Sequence, residues 1–190
     1  QLTACKISSN GSCTTNPGAP IAAVIHESLG IAKGFLSTAH AYTATQNLVD
    51  GATKGKDFRR GRAGAINVVP SSTGAAVSIT RGIPELAGKF DGIALRIPVI
   101  TGSVVVFTFL TKRRTTVDEV NNILRVAAAS PRWAGILKVS DEQLVSSDVI
   151  GDPVPSIVDA LSTRVVDGDL VTVLSWYDNE SGYIPTLIRQ

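Results

Sequence analysis

The sequence of 190 residues contains no methionine, only two cysteines and few aromatic residues, which make up 5% of its positions. Two cysteines are too few to build a disulfide scaffold. No run of about 18 apolar residues is present, so the sequence predicts no membrane-spanning helix. The net charge of +2 comes without the basic excess and interleaved aromatics that nucleic-acid binders carry. We therefore expect neither a nucleic acid nor a membrane as a partner.

Two further absences bear on the origin of the chain and on its cofactors. Because even the first position lacks methionine, we favour a piece cut from a longer protein over a chain whose start was removed with a leader. No Gly-x-Gly-x-x-Gly follows a predicted strand and no Gly-Lys-Ser/Thr loop occurs, so the usual dinucleotide fingerprint is missing. The hydrophobic fraction of 44% can form a real core, and we expect residues 1–190 to form a single domain.

A helix is predicted to begin near Cys13 or Thr14 and to end at Gly30, a residue that suits a helix C-terminus. Apolar residues recur through it at helical spacing: Ile21, Val24, Ile25 and Leu29. Pro17 and Pro20 are tolerable only in the first turn, where backbone N–H groups have no helical partner to lose. This placement puts Cys13 at the N-terminus of the helix.

The remaining pattern predicts mostly strands. Helices are predicted over 75–81 and from Thr116, which opens a capping box with Glu119, to about Ser130. Strands are predicted over 31–42, 92–97, 102–110, 135–139 and 170–177. Asp167-Gly168 between apolar runs predicts a hairpin. The fold class is therefore α+β: a mixed, largely antiparallel β-sheet with about three helices packed on one face.

Cys13 and His40 are the first candidates for chemistry. A helix N-terminus favours a thiolate, so we expect the pKa of the Cys13 thiol to fall. His40 lies at the predicted end of a strand, where an imidazole near Cys13 would accept its proton and later return one. The alternatives are a buried structural cysteine and a structural histidine. The second histidine, His26, is interpreted as a half-exposed helix residue.

Arg60 and Arg96 are candidates for binding an anion. Arg60 lies in a long polar loop over 47–67, a length that usually indicates a functional or interface segment. Arg96 is flanked by apolar residues and needs an anionic partner if it is buried. A phosphate monoester fits its fork geometry, and a protein carboxylate is an equally good alternative.

Four segments in order carry a resemblance: 9–16 around Cys13, 40–46 from His40, 72–76, and 175–180, which reads Ser-Trp-Tyr-Asp-Asn-Glu. Together they resemble the catalytic domain of the phosphorylating glyceraldehyde-3-phosphate dehydrogenases, over essentially all 190 residues. The cysteine and Trp-Tyr-Asp-Asn-Glu segments are the most specific. Pro17 stands where many relatives carry a second cysteine, a thiol that catalysis does not need.

The resemblance implies oxidation of an aldehyde through a thiohemiacetal and then a thioester on Cys13, with His40 as the base. The implied ligands of the substrate C3 phosphate are Thr43, Thr45 and Arg96. The implied ligands of inorganic phosphate are Ser12, Thr14, Thr73 and Gly74. Arg60 would serve either phosphate. Asn179 would bind the nicotinamide carboxamide, Tyr183 would pack near that ring, and no metal is implied.

The resemblance also implies partners and a cofactor. NAD or NADP would serve the whole enzyme, but we expect this chain alone to bind it weakly, because the family's N-terminal nucleotide-binding domain is absent from the sequence. Glyceraldehyde 3-phosphate and inorganic phosphate are the expected substrates. The expected assembly is a homo-oligomer, which is a tetramer in the full-length family, and the expected location is the cytoplasm. The alternatives are an isolated non-catalytic domain that keeps the fold and oligomer contacts, and a related dehydrogenase acting on erythrose 4-phosphate or without phosphate.

Overall fold

The computed structural model describes residues 7–53 and 55–189, in which one mixed sheet is covered by helices. The strands are β1 (Ile31–Ala41), β2 (Val69–Ser72), β3 (Phe90–Ile97), β4 (Ser103–Thr111), β5 (Leu137–Ser140), β6 (Ser156–Val166) and β7 (Leu170–Tyr177). The helices are α1 (Thr15–Leu29), α2 (Ala75–Gly82), α3 (Val117–Ala128) and α4 (Ile184–Ile188). Short 3-10 helices span Phe58–Gly61, Pro84–Leu86 and Pro131–Trp133. No described helix has the length and apolar character needed to cross a membrane.

The sheet has the strand order β2-β3-β1-β4-β7-β6-β5. Two of its neighbouring pairs, β1–β3 and β5–β6, are parallel, and the other four are antiparallel. Helix α1 contacts both α2 and α3, so these three helices share one layer on the sheet. The predicted fold class, a largely antiparallel α+β sheet with about three helices on one face, is confirmed.

The core lies between the sheet and the helix layer, and it holds α1 close to the strands. Phe107 and Phe109 of β4 point into it, and the ring of Phe107 stacks on that of Phe90 with centroids 5.8 Å apart. Gly18 makes the close approach possible, because a Cβ there would lie 2.6 Å from the Phe107 ring and 2.9 Å from Ile79. The position of Cys13 above the sheet therefore depends on a small residue inside α1.

Helix α1 begins at Thr15, one or two residues later than the predicted start near Cys13 or Thr14, and Thr14 is its N-cap residue. Pro20 is its sixth residue, so the prediction that both prolines lie in the first turn is wrong for Pro20. A proline there cannot donate the helical hydrogen bond to the carbonyl of Asn16. The first turn is held instead by the Ser12 hydroxyl, which accepts a hydrogen bond from the Thr15 amide at 3.0 Å.

Two local predictions are confirmed in detail. Asp167 and Gly168 both have positive φ, 47° and 77°, as a two-residue hairpin turn between β6 and β7 requires. The Thr116 hydroxyl accepts a hydrogen bond from the Glu119 amide at the start of α3. Strand β2 and the first half of β6 were not predicted.

Candidate active site

Cys13 and His40 face each other across the junction between α1 and the sheet. The Cys13 Sγ lies 3.2 Å from the His40 Nε2, although the two residues are 27 positions apart in the chain. Cys13 directly precedes the N-cap of α1 and is partly exposed. His40 is the penultimate residue of β1 and is only 3% exposed. The pair therefore combines a reachable sulfur with a shielded imidazole at hydrogen-bonding distance.

The other nitrogen of the His40 ring is crowded by two groups. The carbonyl oxygen of Ala41 lies 2.6 Å from Nδ1, and Nη1 of Arg96 lies 2.5 Å from the same nitrogen. The register of the parallel strands β1 and β3, which pairs His40 with Arg96, brings the two side chains together. The Arg96 Nη1 also donates to the Ala41 carbonyl at 3.3 Å.

The surroundings disfavour both the thiolate form of Cys13 and the imidazolium form of His40. Burial, and after it the charge of Arg96, lowers the pKa of His40 to about 4. Burial raises the pKa of the Cys13 thiol, while the Thr14 hydroxyl and the Arg96 charge act in the opposite direction. The expectation that the helix N-terminus lowers this thiol pKa is wrong, because α1 begins two residues beyond Cys13 and burial is the larger effect.

Arg96 has no carboxylate partner within salt-bridge distance among the described residues. Its guanidinium is half-buried, and burial together with the nearby charge of Arg60 lowers its pKa. Arg60 donates to the Ser71 hydroxyl at 3.1 Å and lies 3.8 Å from an oxygen of Asp57. Asp57 is paired more closely with Arg59, at 3.0 Å. Arg60 and Arg96 therefore have no close carboxylate of their own among the described residues, which favours an anion from outside the chain.

The threonines of the predicted phosphate sites lie in two places, just after β1 and just before α2. The hydroxyls of Thr43 and Thr45 are 3.0 Å apart, just after β1. Thr45 and Arg60 line the same polar cleft of about 650 Å³. The Thr73 hydroxyl accepts a hydrogen bond from the Ala75 amide, and the exposed Gly74 caps α2. The start of α2 thus presents backbone amides next to a threonine, an arrangement suited to an anion.

The hydroxyls of Ser12 and Thr14 are engaged within the protein. Ser12 Oγ lies 2.8 Å from the Thr15 hydroxyl, in addition to its bond to the Thr15 amide. Thr14 is buried, and its hydroxyl lies 3.0 Å from the hydroxyl of Tyr177. To bind phosphate, either side chain has to share or exchange these partners.

Sequence reasoning missed Tyr177, which connects three elements beneath the site. Its side chain is 1% exposed, and its hydroxyl lies 3.0 Å from both Thr14 and Thr38. Thr38 in turn donates to the Val104 carbonyl at 2.9 Å. The inward alternation of β7, which buries Ser175 and Tyr177 and exposes Trp176 more, is the signal that could have found it.

Asn179 is oriented by three donors on the loop before β4 and at its start. Its Oδ1 accepts hydrogen bonds from the Ser103 hydroxyl at 3.0 Å, the Gly102 amide at 3.2 Å and the Thr101 hydroxyl at 3.5 Å. The Ser103 hydroxyl also accepts from the amide of Ala41, next to His40. Asn179 is therefore tied to the end of β1, and its Nδ2 is left as the group that can donate to a ligand. Tyr183 is half-buried at the start of α4.

No group of three His, Cys, Asp or Glu side chains that could hold a metal ion occurs within 7–53 and 55–189. The chemistry available to the described residues is that of a thiol, an imidazole and cationic and hydroxyl groups for anions.

Comparisons with a family model and with known proteins point to the same family. Residues 12–179 match the family described as "Glyceraldehyde 3-phosphate dehydrogenase, C-terminal domain". The chain is 52% identical over 182 residues to the glyceraldehyde-3-phosphate dehydrogenase of Mycobacterium tuberculosis H37Rv. The aligned residues cover 96% of the chain and 52% of that protein. It is 47% identical over 179 residues to the glyceraldehyde-3-phosphate dehydrogenase of Borreliella burgdorferi, an alignment that covers 94% of the chain and 53% of that protein. It is 50% identical over 182 residues to glyceraldehyde-3-phosphate dehydrogenase 2 of Streptomyces arenae, with 96% of the chain and 53% of that protein covered.

The chain thus spans about half the length of the curated relatives that it matches. The matched part contains Cys13, His40 and Arg96, which the fold brings together. The chain belongs to the glyceraldehyde-3-phosphate dehydrogenase C-terminal domain family.

Proposed function

We propose that residues 1–190 form the catalytic domain of a dehydrogenase that oxidises glyceraldehyde 3-phosphate, with NAD or NADP and inorganic phosphate, to 1,3-bisphosphoglycerate. The observation that carries this proposal is the 3.2 Å contact between the Cys13 Sγ and the His40 Nε2, with the guanidinium of Arg96 beside the ring. The names of the relatives, each a glyceraldehyde-3-phosphate dehydrogenase, support the same reaction.

In the first step the sulfur of Cys13 forms a bond to the aldehyde carbon. The thiol proton passes to the His40 Nε2, which returns it to the former carbonyl oxygen, so that a neutral thiohemiacetal forms. A direct transfer suits this pair, because burial disfavours both a free thiolate and a free imidazolium.

In the second step His40 takes the hydroxyl proton of the thiohemiacetal while the carbon loses a hydride, which leaves a thioester on Cys13. An oxidised nicotinamide, whose carboxamide Asn179 would hold, would supply the acceptor for that hydride. An oxygen of inorganic phosphate then bonds to the thioester carbon, the carbon–sulfur bond breaks, and the Cys13 sulfur recovers a proton from His40.

The nicotinamide end of the cofactor fits the residues present. Because the Oδ1 of Asn179 accepts three protein donors, its Nδ2 is available to donate to a carboxamide oxygen. Tyr183 would pack near the nicotinamide ring. We expect the chain alone to bind the dinucleotide weakly, because its sequence holds no Gly-rich motif for the pyrophosphate.

The two phosphates are assigned to the cationic and hydroxyl groups around the pair. Thr43, Thr45 and Arg96 would bind the C3 phosphate of the substrate. Ser12, Thr14, Thr73 and Gly74 would bind inorganic phosphate, and Arg60 would serve either group. The absence of a carboxylate next to Arg96 among the described residues supports an anionic ligand there.

We also propose that copies of the chain associate through the face of the sheet opposite the helices. Apolar side chains on that face remain partly exposed, among them Phe35 at 45%, Ile93 and Leu170. An exposed apolar surface of this kind indicates a protein interface. Sedimentation of the chain tests this: a dimer or tetramer that Phe35→Lys dissociates is expected, and a monomer at high micromolar concentration contradicts it.

Acyl transfer in the reverse direction tests the proposed function without the cofactor. The 190-residue chain is mixed with 1,3-bisphosphoglycerate, and the mass of the Cys13 peptide is followed. We expect a phosphoglyceroyl thioester on Cys13 that added inorganic phosphate discharges, with none in Cys13→Ser and a rate lowered by roughly 10² or more in His40→Gln.

Acetyl phosphate, which lacks a C3 phosphate, serves as the matched substrate and should acylate Cys13 more slowly. A chain that forms no adduct at Cys13 supports the alternative of a non-catalytic domain. If erythrose 4-phosphate protects Cys13 from the acyl donor better than glyceraldehyde 3-phosphate does, the related dehydrogenase is favoured.

A further inference from the structure

Ser103, the first residue of β4, is fully buried, and its hydroxyl lies between two parts of the candidate site. The hydroxyl donates to the Oδ1 of Asn179 at 3.0 Å and accepts a hydrogen bond from the amide of Ala41 at 3.1 Å. Asn179 is proposed to bind the nicotinamide carboxamide, and Ala41 directly follows His40, the proposed base. One buried side chain therefore contacts both the cofactor side and the base side of the site.

The neighbouring groups fix the direction of both hydrogen bonds. The backbone amide of Gly102 can only donate, and it points at the same Asn179 atom at 3.2 Å, so that atom is the amide oxygen. The Ser103 hydroxyl has one proton, which therefore goes to this oxygen. The amide of Ala41 can also only donate, and it binds a lone pair of the Ser103 oxygen. The Ser103 hydroxyl is thus a donor to Asn179 and an acceptor from β1 at the same time.

Thr101 does not replace Ser103 as a donor to Asn179. The Thr101 hydroxyl lies 3.2 Å from a carboxylate oxygen of Asp178 and 3.5 Å from the Asn179 oxygen, so its one proton goes to the closer, charged acceptor. The Gly102 amide and the Ser103 hydroxyl are therefore the two close donors to the Asn179 oxygen. Without Ser103, one close hydrogen bond is left to hold the plane of this amide.

The backbone on both sides of the Ser103–Asn179 hydrogen bond is held in place. Gly102 has a φ of 86°, and a Cβ at this position would overlap the backbone oxygen of Ser146. The carboxylate of Asp178, directly before Asn179, accepts hydrogen bonds from three backbone amides. What is left to rotate is the Asn179 side chain, and the Ser103 hydroxyl restrains that rotation.

We propose that Ser103 is a positioning residue that couples the orientation of Asn179 to the placement of His40. By donating to the Asn179 Oδ1, Ser103 keeps the Nδ2 turned outward, where it can donate to a carboxamide oxygen. By accepting from the Ala41 amide, it holds the end of β1, and with it the backbone of His40, at the start of β4. The inference rests on the proposed roles of Asn179 and His40 in the reaction.

The two contacts act together because they share one oxygen atom. A hydroxyl that accepts a hydrogen bond is the stronger donor, since chains of hydrogen bonds polarise one another. Loss of the Ser103 hydroxyl removes a donor from Asn179 and leaves the Ala41 amide without this acceptor. We therefore expect one substitution both to weaken cofactor binding and to slow the chemistry at Cys13, although Ser103 touches neither the cofactor nor the reacting atoms.

Two measurements on the 190-residue chain report the two sides separately. Titration with oxidised nicotinamide mononucleotide at millimolar concentration, followed by NMR of the Asn179 side-chain amide, reports the cofactor side. Acylation of Cys13 by 1,3-bisphosphoglycerate reports the base side, because no nicotinamide takes part in that step. In Ser103→Ala we expect the Kd of the mononucleotide to rise and the acylation rate to fall, each by roughly three- to tenfold for one lost hydrogen bond.

Three further variants separate positioning from a general loss of stability. Ser103→Thr keeps the hydroxyl and should restore both values toward those of the wild type. Ser103→Cys is close to serine in size but donates weakly, so it should behave like Ser103→Ala and takes its place if that variant does not fold. Thr163→Val is the matched control, because the Thr163 hydroxyl is also fully buried and donates to an asparagine oxygen, that of Asn121, at 2.7 Å. It should lower the stability in urea while the folded chain keeps the mononucleotide affinity and acylation rate of the wild type.

The outcomes distinguish this inference from the function on which it rests. If the wild type binds the mononucleotide and acylates Cys13, and Ser103→Ala changes only one of the two or neither, the coupling is refuted and the proposed function stands. Equal changes in Ser103→Ala and Thr163→Val would show a structural role alone and would also overturn the inference. A wild type that acylates Cys13 but binds no mononucleotide refutes the role of Asn179, and the inference with it. A wild type that forms no acyl thioester refutes the proposed function itself.

Discussion

The Cys13 Sγ and the His40 Nε2 meet at 3.2 Å because two elements end at the same place. Helix α1 starts just beyond Cys13, and strand β1 ends one residue beyond His40. Gly18 lets α1 approach the sheet, and the hydroxyl of Tyr177 contacts both Thr14 on the helix side and Thr38 on the strand. The distance between the Cys13 sulfur and the His40 ring is thus fixed by packing below the site.

The stability of the chain should fall as His40 is forced to take a proton. Burial and Arg96 lower its pKa from the usual 6.5 to about 4 in the folded state, so the unfolded chain binds the proton first. The stabilising contribution is therefore complete above about pH 6.5 and is lost as the pH falls toward about 4, by about 3 kcal/mol. Urea unfolding of the wild type and of His40→Gln at several pH values measures it. A wild type whose stability changes with pH no more than that of the variant contradicts this prediction.

Replacement of Arg96 should raise the pKa of both members of the pair. Its positive charge opposes the imidazolium of His40 and favours the thiolate of Cys13. In Arg96→Gln we therefore expect the pKa of His40 and the pKa of Cys13 both to rise, although the burial of both groups remains. NMR titration of His40 and the pH profile of Cys13 alkylation measure the two shifts.

Arg125→Gln is the control for the charge change, because Arg125 lies on α3 and pairs with Asp141. It should leave both profiles as in the wild type. A fall in either pKa value in Arg96→Gln would show that the guanidinium acts on the pair with the opposite sign.

Tyr177→Phe should destabilise the chain although the aromatic ring remains. The lost hydroxyl leaves the buried Thr14 and Thr38 hydroxyls without a partner that each has at 3.0 Å, which costs about 1–3 kcal/mol. Thermal or urea unfolding measures the loss. Tyr42→Phe is the matched control, since Tyr42 is half-exposed and its hydroxyl makes no hydrogen bond within the described residues. Equal losses of stability in Tyr177→Phe and Tyr42→Phe would show that the buried hydroxyl of Tyr177 does not stabilise the chain.

Gly18→Ala should be far worse tolerated than Gly82→Ala. The added Cβ at position 18 meets the Phe107 ring at 2.6 Å, so α1 must move or strain, at about 1–3 kcal/mol. Gly82 ends α2 with nothing within 4 Å of the new Cβ, and alanine there should be neutral or stabilising by up to about 1 kcal/mol. Because Cys13 directly precedes the N-cap residue of α1, Gly18→Ala should also slow Cys13 alkylation. An unchanged rate would show that the site does not depend on this contact.

The parts of the fold that the sequence predicts are those with a local signal. The apolar spacing of α1, the hairpin at Asp167-Gly168 and the box from Thr116 to Glu119 are each set by residues within one element. Strand β2 has only four residues and contains a proline, and the start of β6 is buried on both faces, so neither shows a clear alternation.

At the site, sequence patterns point to the residue types but not to their surroundings. Cys13 and His40 can be chosen from their places at a helix start and a strand end, yet the direction of the thiol pKa depends on burial, which no local pattern reports. The contact of Arg96 with the His40 ring depends on the register between β1 and β3, which pairs two residues 56 positions apart in the chain. The pKa values and the contacts at the site therefore depend on tertiary packing, which local sequence patterns do not report.

The rate of Cys13 alkylation by iodoacetamide, measured across pH in the wild type and in His40→Gln, tests directly whether Cys13 and His40 act as nucleophile and base. Peptide mapping by mass spectrometry separates Cys13 from Cys5, so each thiol is counted alone. We expect the variant to react at least about tenfold more slowly at neutral pH, and glyceraldehyde 3-phosphate to protect Cys13 in the wild type. Equal rates for the two proteins at every pH, with no protection by the substrate, would contradict the pairing of Cys13 and His40 as nucleophile and base.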